Sequence, residues 1–399
     1  MSRPIRLLAV SHTSALGGTQ RHLYDLLTHF SMKDVAVIGV AAPSNGPMGQ
    51  WFAQANLSYF DVSIPSLSEL HSPQVVIQEL IKLPLFLYQF SKLLRRESPD
   101  IVYCNSHRSA IVVEPVLTQL RIPLVWQIPE FIHDRPLQRW AISRIVRNAK
   151  GMVAISQLTY GELVKAGADT DKVRLAYCGV DVKKFDVPLI DLIDFRTQNN
   201  IPLDAKLVGM VGTIHPLKGW HILVESIPLI RKDFPNVHFI FTGTPNDDDF
   251  GKLYAAQIKQ RLVELGQSES VRWLGYRADI PVIMSACDLL VQPNVEPETL
   301  GVVIMEGMAA RKPVISTRIG GTLEVNEHGI TGLVISPGQV DELVEAVKVL
   351  LENPELCEHM GVQGRIRVES LFTHEQRIQV HLDLFRQILL RAGRSVQFT

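Results

Sequence analysis

Short apolar runs alternate with longer segments of helical periodicity along almost the whole chain. In the first half, segments such as RHLYDLLTHF and ISRIVRNA separate the runs IRLLAVS, VAVIGVA, IVYCN, PLVWQI, GMVAIS and VRLAY. Strands that alternate with helices are typical of βαβ units, in which the strands are parallel. The pattern therefore predicts an α/β fold.

A second series of the same kind follows a polar segment, residues 181–205, which is broken by Pro188 and Pro202. Its strand candidates are KLVGMVG, VHFIFTG, VRWLG, DLLVQPN, PVIST and GLVIS. A chain of 399 residues is too long for one typical core. We therefore predict two α/β domains, 1–190 and 200–372. An amphipathic helix from Thr373 to about Ala392 has no strand after it, so residues 373–399 are free to pack elsewhere, for instance back on the first domain.

The composition excludes several classes of function. Lys plus Arg (40) nearly balance Asp plus Glu (41), so no general attraction for nucleic acid is expected. The four cysteines form no CxxC pair, which argues against a zinc site and a disulfide framework: Cys104, Cys178, Cys287 and Cys357. They predict buried thiols in a reducing compartment, so we expect a cytoplasmic protein.

One apolar segment leaves a membrane contact open. Residues 80–96 contain Lys82 and Pro84 and are too short to span a bilayer. We expect a buried helix with a solvated end; the alternative is an amphipathic helix lying on a membrane surface, such as the inner membrane face.

In open α/β sheets, ligands bind beyond the carboxyl ends of the strands, so the residues that follow each strand are the candidates. Gly17 and Gly18 precede a helix, where backbone can approach an anion, although a plain turn is an equal alternative. Lys218 opens a helix in MVGTIHPLKGW and could clamp a phosphate; the alternative is a solvated lysine.

The most informative stretch is EPETLGVVIMEGMAARKPVIST, residues 296–317. Strand, loop and helix patterns put the amides of Leu300, Gly301 and Val302 at a helix start, a site suited to an anion such as a diphosphate. Glu306 lies about two turns along the same face and could accept hydrogen bonds from ribose hydroxyls. Glu298, before the helix, would then lie beside whatever the diphosphate carries.

Two other polar clusters have simpler explanations. Asp247, Asp248 and Asp249 open a long helix and are predicted to cap it rather than to bind a metal. His133 with Asp134, and His107 with Arg108, each follow a strand, where such histidines are more often structural.

With these residues assembled, the chain resembles the retaining glycosyltransferases of family 4, whose GT-B fold has two Rossmann-like domains facing across a cleft. The likeness rests on the glycine pair and on segments such as PDIVYCNS, AISQLTYGEL, YCGVDVKKF, VGTIHPLKG and HGITGLV. Its most specific element is the family's E-x7-E motif, from Glu298 to Glu306.

The resemblance implies a role for each matching position. Glu306 would hold the ribose, the amides of 300–302 the diphosphate and Lys218 the phosphates. Arg277 would contact the base through its backbone and Glu298 the donor sugar, while Gly18 would face the diphosphate from the other domain.

Three positions depart from the family pattern. Thr213 stands where the family usually has Arg, and Thr299 where it has Gly. Pro129 stands before Glu130 where many members have His. The role of that histidine is therefore unassigned, and His133 and His107 are the nearby alternatives.

The resemblance implies transfer of a sugar from a nucleotide-diphosphate sugar to a saccharide, lipid-linked or small-molecule acceptor, with retention of configuration and with no metal or other cofactor. Lys218 and Glu298 would be the catalytic residues. Two alternatives stay open: an epimerase of GT-B fold, and a non-catalytic protein that binds nucleotide sugars. The donor base, the sugar and the oligomeric state are not predicted.

Overall fold

The computed structural model describes residues 3–15, 17–44, 46–65, 73–132 and 136–394. The chain divides into two compact units, Met1–Gly179 with His374–Thr399, and Val180–Thr373. Each unit is built on one sheet whose paired strands are all parallel. The predicted α/β fold with two Rossmann-like domains is confirmed.

The first unit has a seven-stranded sheet of order β3-β2-β1-β4-β5-β6-β7. Its strands are β1 (Ile5–Val10), β2 (Val35–Ala42), β3 (Tyr59–Asp61), β4 (Ile101–Cys104), β5 (Leu124–Ile128), β6 (Gly151–Ala154) and β7 (Val173–Leu175). Its helices up to this point are α1 (Gly18–His29), α2 (Met48–Gln54), α3 (Pro73–Glu97), α4 (His107–Leu120), α5 (Pro136–Asn148) and α6 (Gln157–Lys165).

The second unit has a six-stranded sheet of order β10-β9-β8-β11-β12-β13. Its strands are β8 (Lys206–Val211), β9 (Val237–Thr242), β10 (Val271–Gly275), β11 (Leu289–Gln292), β12 (Val314–Thr317) and β13 (Gly332–Ile335). Its helices are α7 (Leu189–Gln198), α8 (Trp220–Asp233), α9 (Asp249–Glu264), α10 (Ile280–Ala286), α11 (Val302–Ala309), α12 (Thr322–Val325), α13 (Val340–Glu352) and α14 (Pro354–Leu371).

Both faces of the first sheet are covered, because successive residues of a strand point to opposite faces. In β1, Leu8 and Val10 join a core with helices α3 to α6, whereas Leu7 and Ala9 join a second core with α1 and α2. The C-terminal helix α15 (His374–Arg391) contributes Leu384, Phe385 and other buried residues to that second core. It therefore belongs to the first unit, although it lies at the end of the chain.

The segment predicted as the domain boundary is folded and belongs to the second unit. Pro188 is the N-cap residue of α7, and Phe195 of that helix is buried. The Arg196 guanidinium donates to the carbonyl oxygens of Ala205 and Ala286 at 2.8 Å. Residues 180–190, which the sequence analysis assigned to the first domain, thus lie in the second unit.

Two further predictions concern single segments. Asp248 caps α9 by accepting a hydrogen bond from the Gly251 amide at 2.6 Å, and Asp249 lies in the first turn, so the predicted cap is confirmed. Residues 80–96 are helical and bury Phe86 and Phe90, although they leave other apolar side chains exposed. Among the helices that the structure describes, none has the length and apolar character that a bilayer crossing requires.

Candidate functional site

The predicted ligand residues of the second unit follow strands β8, β10 and β11, at one edge of the sheet. The chain reverses its order across the sheet between β8 and β11, because β9 and β10 lie on one side of β8 and β12 and β13 lie beyond β11. In open parallel sheets this switch point, at the carboxyl ends of the strands, is where ligands bind.

Lys218 is placed by a tight turn after β8. Gly219, the N-cap of α8, has a φ of 74°, and a Cβ there would collide with the carbonyl oxygen of Pro293. The Val295 amide donates to the Leu217 carbonyl oxygen at 2.9 Å. These contacts hold the turn that carries Lys218 against the end of β11, and glycine is required there because both conformation and space exclude a side chain.

The Lys218 ammonium forms an ion pair with the Glu298 carboxylate. Both side chains are largely covered, with 29% and 22% of their surface exposed. Burial lowers the pKa of Lys218 to about 8, whereas the adjacent carboxylate opposes that effect by favouring the charged form. The structure therefore brings the two residues proposed as catalytic into direct contact.

The start of α11 presents backbone amides at the same strand end. Gly301, the N-cap residue, has a φ of 94°, and its side-chain position is taken up by Ile304 and Thr322 nearby. Within the described residues, neither the Leu300 amide nor the Gly301 amide donates a hydrogen bond to a backbone carbonyl. Amides at a helix start attract an anion, since they carry the positive end of the helix dipole.

A glycine pair that the sequence analysis did not single out supports the loop before α11. A Cβ at Gly320 would collide with the backbone of Glu298, and one at Gly321 with the carbonyl oxygen of Thr299. The Gly321 amide donates to the Glu298 carbonyl oxygen at 2.8 Å. Adjacent glycines shortly after a predicted strand were the available signal, and close backbone packing is the reason for them.

Glu306 lies in the middle of α11 and is partly exposed, while its neighbours Met305 and Gly307 are buried. A carboxylate in this position keeps some contact with solvent, so it does not carry the full cost of burial. Thr299 is also partly exposed, in the loop where the family has glycine. Val302 is the first residue of the helix.

Two other predicted residues lie at the ends of β8 and β10. Thr213 is exposed, and its carbonyl oxygen accepts a hydrogen bond from Nε1 of the buried Trp220 at 2.9 Å. The Arg277 guanidinium forms a two-point contact with Asp279, with distances of 2.7 Å from Nε to Oδ1 and 2.5 Å from the terminal nitrogen to Oδ2. Its side chain is thus held by Asp279, which leaves a backbone contact as the expected role.

Asn294, just after β11, was also missed. It is 1% exposed, and neither Oδ1 nor Nδ2 has a hydrogen-bond partner within the described part of the chain. Its carbonyl oxygen accepts from Thr317 Oγ1 at 2.8 Å. A buried amide without partners is costly, so such a group is a sign of a ligand or an ordered water.

The remaining predicted residues lie in the first unit. Gly17 is the N-cap of α1 with extended backbone, and Gly18 begins the helix with open space at its side-chain position. His107 is buried, and its Nδ1 lies 2.6 Å from Oε1 of Glu130, the residue after Pro129. His133 and Asp134 lie outside the described residues.

Two family comparisons cover most of the chain. The sequence model described as Glycosyltransferase Family 4 matches residues 16–184, and that described as Glycosyl transferases group 1 matches residues 193–367.

Similar curated proteins are named as transferases. The α-D-kanosaminyltransferase of Streptomyces kanamyceticus is 28% identical over 297 residues, which cover 69% of this chain and 74% of that protein. A D-inositol 3-phosphate glycosyltransferase of Corynebacterium urealyticum is 28% identical over 219 residues, 53% of this chain and 51% of the relative.

Solved structures share the fold. HepE of Anabaena, crystallised in complex with UDP, matches with a TM-score of 0.81 at 23% identity, covering 98% of this chain and all (100%) of HepE. A glycosyltransferase from Rickettsia africae matches with a TM-score of 0.83 at 18% identity, over 97% of this chain and 99% of that one.

Proposed function

The chain belongs to the glycosyltransferases of family 4 and group 1, and on this premise we propose that it transfers a sugar from a nucleotide-diphosphate sugar to a hydroxylated acceptor with retention of anomeric configuration. The observation that supports the proposal most strongly is the contact of Lys218 with Glu298 beside the start of α11. A cation, helix-start amides and a carboxylate together suit a sugar diphosphate, because the first two bind the anion and the last binds a hydroxyl.

Each group has one task in this proposal. The amides of Leu300, Gly301 and Val302 and the Lys218 ammonium bind the diphosphate. Glu306 accepts hydrogen bonds from the ribose hydroxyls, and the Arg277 backbone contacts the base. Thr213 and Thr299 border the diphosphate, while Gly17 and Gly18, at the start of α1 in the first unit, stay predicted anion contacts.

Glu298 changes partner during binding. In the ligand-free chain its carboxylate neutralises Lys218. When the donor is bound, the diphosphate takes over that role at Lys218, and Glu298 becomes free to accept a hydrogen bond from a sugar hydroxyl. The exchange keeps the partly buried ammonium paired at each stage, which avoids the cost of an isolated charge.

The chemical step needs no protein nucleophile. The bond between the anomeric carbon and the diphosphate oxygen breaks, and the departing oxygen accepts the proton of the acceptor hydroxyl as the new glycosidic bond forms on the same face. Negative charge develops on the leaving diphosphate, and Lys218 with the α11 amides stabilises it, so these groups take the part that a metal ion plays in other transferases.

The class of acceptor and the cellular location of the protein are also part of the proposal. The acceptor is a saccharide, a lipid-linked sugar or a small molecule that binds to the first unit. The four cysteines are free thiols, which suits the reducing cytoplasm, with a peripheral contact at the inner membrane face if the acceptor is a lipid. Both curated relatives reported above are named as transferases, which favours sugar transfer over the epimerase and the non-catalytic alternative.

A panel of nucleotide sugars tests the proposal. Thermal unfolding with UDP-, GDP-, ADP- and dTDP-sugars should show a higher melting temperature with one base, since a ligand that binds only the folded state stabilises it. UDP-glucose comes first, because HepE has been crystallised with it. Product analysis with the selected donor should then yield a glycoside whose anomeric configuration is that of the donor. An isomerised donor, or an inverted glycoside, would contradict the proposal.

A further inference from the structure

The first unit contains a buried amide whose hydrogen bonds are not made. Asn105 follows directly after β4, has no exposed surface and, among the residues that the structure describes, has no hydrogen-bond partner at Oδ1 or Nδ2. β4 pairs with β1, with Cys104 beside Val10, so Asn105 lies next to the end of β1. This is the switch point of the first sheet, because β2 and β3 lie on one side of β1 and β5 to β7 lie beyond β4.

Asn294 occupies the corresponding place in the second unit. It follows β11, which pairs with β8, and the order of that sheet reverses between the same two strands. Its amide is likewise buried and has no hydrogen-bond partner in the described ranges. Each unit therefore has one such asparagine at the point of its sheet where ligands bind. In the second unit this is the end of the sheet at which we place the donor.

Polar side chains follow the neighbouring strands β1, β4 and β5 at the same end of the first sheet. His12 Nδ1 lies 2.9 Å from Ser106 Oγ, and His107 Nδ1 lies 2.6 Å from Glu130 Oε1. Burial by itself would raise the pKa of Glu130, but the hydrogen bond to His107 and the charges of His107, Arg108 and His12 lower it overall. Glu130 is therefore an anion at neutral pH, and 39% of its side chain is exposed.

These features indicate which kind of ligand the Asn105 amide can bind. The Asn105 amide offers one acceptor beside one donor group, and two adjacent hydroxyls of a sugar or polyol satisfy both. A phosphate or carboxylate would satisfy only the donor, and it would bring negative charge near Oδ1 and Glu130.

We infer that Asn105, together with His12 and the His107–Glu130 pair, forms a binding site for the uncharged hydroxylated face of a sugar or polyol. Only the identification of that ligand as the acceptor rests on the proposed function; the binding itself does not. Because the amide has no exposed surface in the free chain, side chains must move to admit the ligand. We therefore expect weak binding of a single sugar, with a Kd on the order of 1 mM.

Saturation-transfer NMR on the full chain tests the site with three probes: methyl α-D-glucopyranoside, myo-inositol and glucose 6-phosphate. The parent protein should transfer magnetisation to at least one neutral probe, and Asn105→Leu should reduce that signal by about fivefold or more. The melting temperature of Asn105→Leu should stay the same or rise, because an apolar group of similar size removes an unsatisfied amide. Asn105→Ser, which is smaller, is the second variant if leucine does not fit.

A structural amide would behave differently. If it is held by a permanent water, both variants should lower the melting temperature by several degrees and leave the probe signals unchanged, which would overturn the inference. Binding of glucose 6-phosphate alone through Asn105, or no Asn105-dependent signal from either neutral probe, would overturn it too.

Asn294→Leu is the matched control, with UDP as the probe. It should weaken UDP binding and leave the neutral sugar signal intact, whereas Asn105→Leu should leave UDP binding intact. If the parent protein does not bind UDP, the proposed donor is wrong, while the neutral probes still report on Asn105. The failure of one proposal is therefore distinguishable from the failure of the other.

Discussion

Replacing Lys218 with methionine should change stability and nucleotide binding in opposite directions. Burial lowers the pKa of Lys218 from 10.5 to about 8. That shift corresponds to about 3 kcal/mol by which the folded chain disfavours the charged form. Methionine fills similar space without a charge. Since loss of the pair with the partly exposed Glu298 costs about 1 kcal/mol, the free energy of unfolding at pH 7 should rise by about 2 kcal/mol.

The same substitution should weaken the binding of nucleoside diphosphate. A hydrogen bond to a charged group contributes about 1.5–3 kcal/mol, so the Kd measured by titration calorimetry at pH 7 should increase roughly 10- to 150-fold.

The pH dependence of stability provides a second measurement on the same variant. In the unfolded chain Lys218 keeps its proton up to about pH 10.5, whereas in the folded chain it loses the proton near pH 8. Between these values the unfolded state binds more protons, so the free energy of unfolding of the parent rises with pH. The variant lacks this rise. Urea unfolding at pH 7, 8.5 and 9.5 should therefore show that the advantage of the variant shrinks as the pH increases.

Lys312→Met is the matched control. Lys312 precedes β12, at the opposite end of the sheet, and burial lowers its pKa as well. Its replacement should also increase stability, but it should leave the binding of nucleoside diphosphate unchanged. If Lys218→Met destabilises the protein and binds nucleoside diphosphate like the parent, Lys218 is a structural residue and the site is misassigned.

Three further predictions concern the same unit. Glu306→Gln should weaken nucleoside diphosphate binding by roughly 1–3 kcal/mol in calorimetry. Glu298→Gln should leave that binding nearly intact and lower the turnover of the donor. If both variants bind nucleoside diphosphate and turn over the donor like the parent, these roles are wrong. Transfer activity should persist in EDTA, and a complete loss that magnesium or manganese restores would refute metal independence. Gly321→Ala should destabilise the protein by about 1–3 kcal/mol in urea unfolding, because the new Cβ would collide with the Thr299 carbonyl oxygen. Gly161→Ala is the control and should not destabilise the protein, since Gly161 lies in α6 with open space around it. Equal stability of the two variants would contradict the packing described.

The alternation of strand and helix patterns was sufficient to predict both sheets, because a buried parallel strand must be a short apolar run and its crossover a longer helix. Strand β3 was missed, since three residues at a sheet edge carry too little pattern to be recognised. The boundary was misplaced for a related reason. Prolines and polar residues favoured a linker, but Pro188 begins α7, and Phe195 and Arg196 bind that helix to the second unit.

In the candidate site, too, positions set by neighbouring residues were predictable, whereas contacts between distant residues were not. That Lys218 follows β8 and that Glu298 precedes α11 was predictable, since each position depends on its neighbours in the chain. Their ion pair was not, because it depends on how two loops meet at the ends of adjacent strands. Gly320 and Gly321 were missed for the same reason: what excludes a side chain there is the backbone of another loop.

The sequence by itself determined the α/β class, the two series of strands, the family and the positions that follow each strand, because periodicity and motifs are properties of neighbouring residues. Only the tertiary structure decided which distant groups meet. It paired Lys218 with Glu298 and, among the residues that the structure describes, left the amides of Asn105 and Asn294 buried without partners. A local pattern places a residue after its strand, but the contact that this residue makes follows from the packing of whole elements, which no local pattern contains.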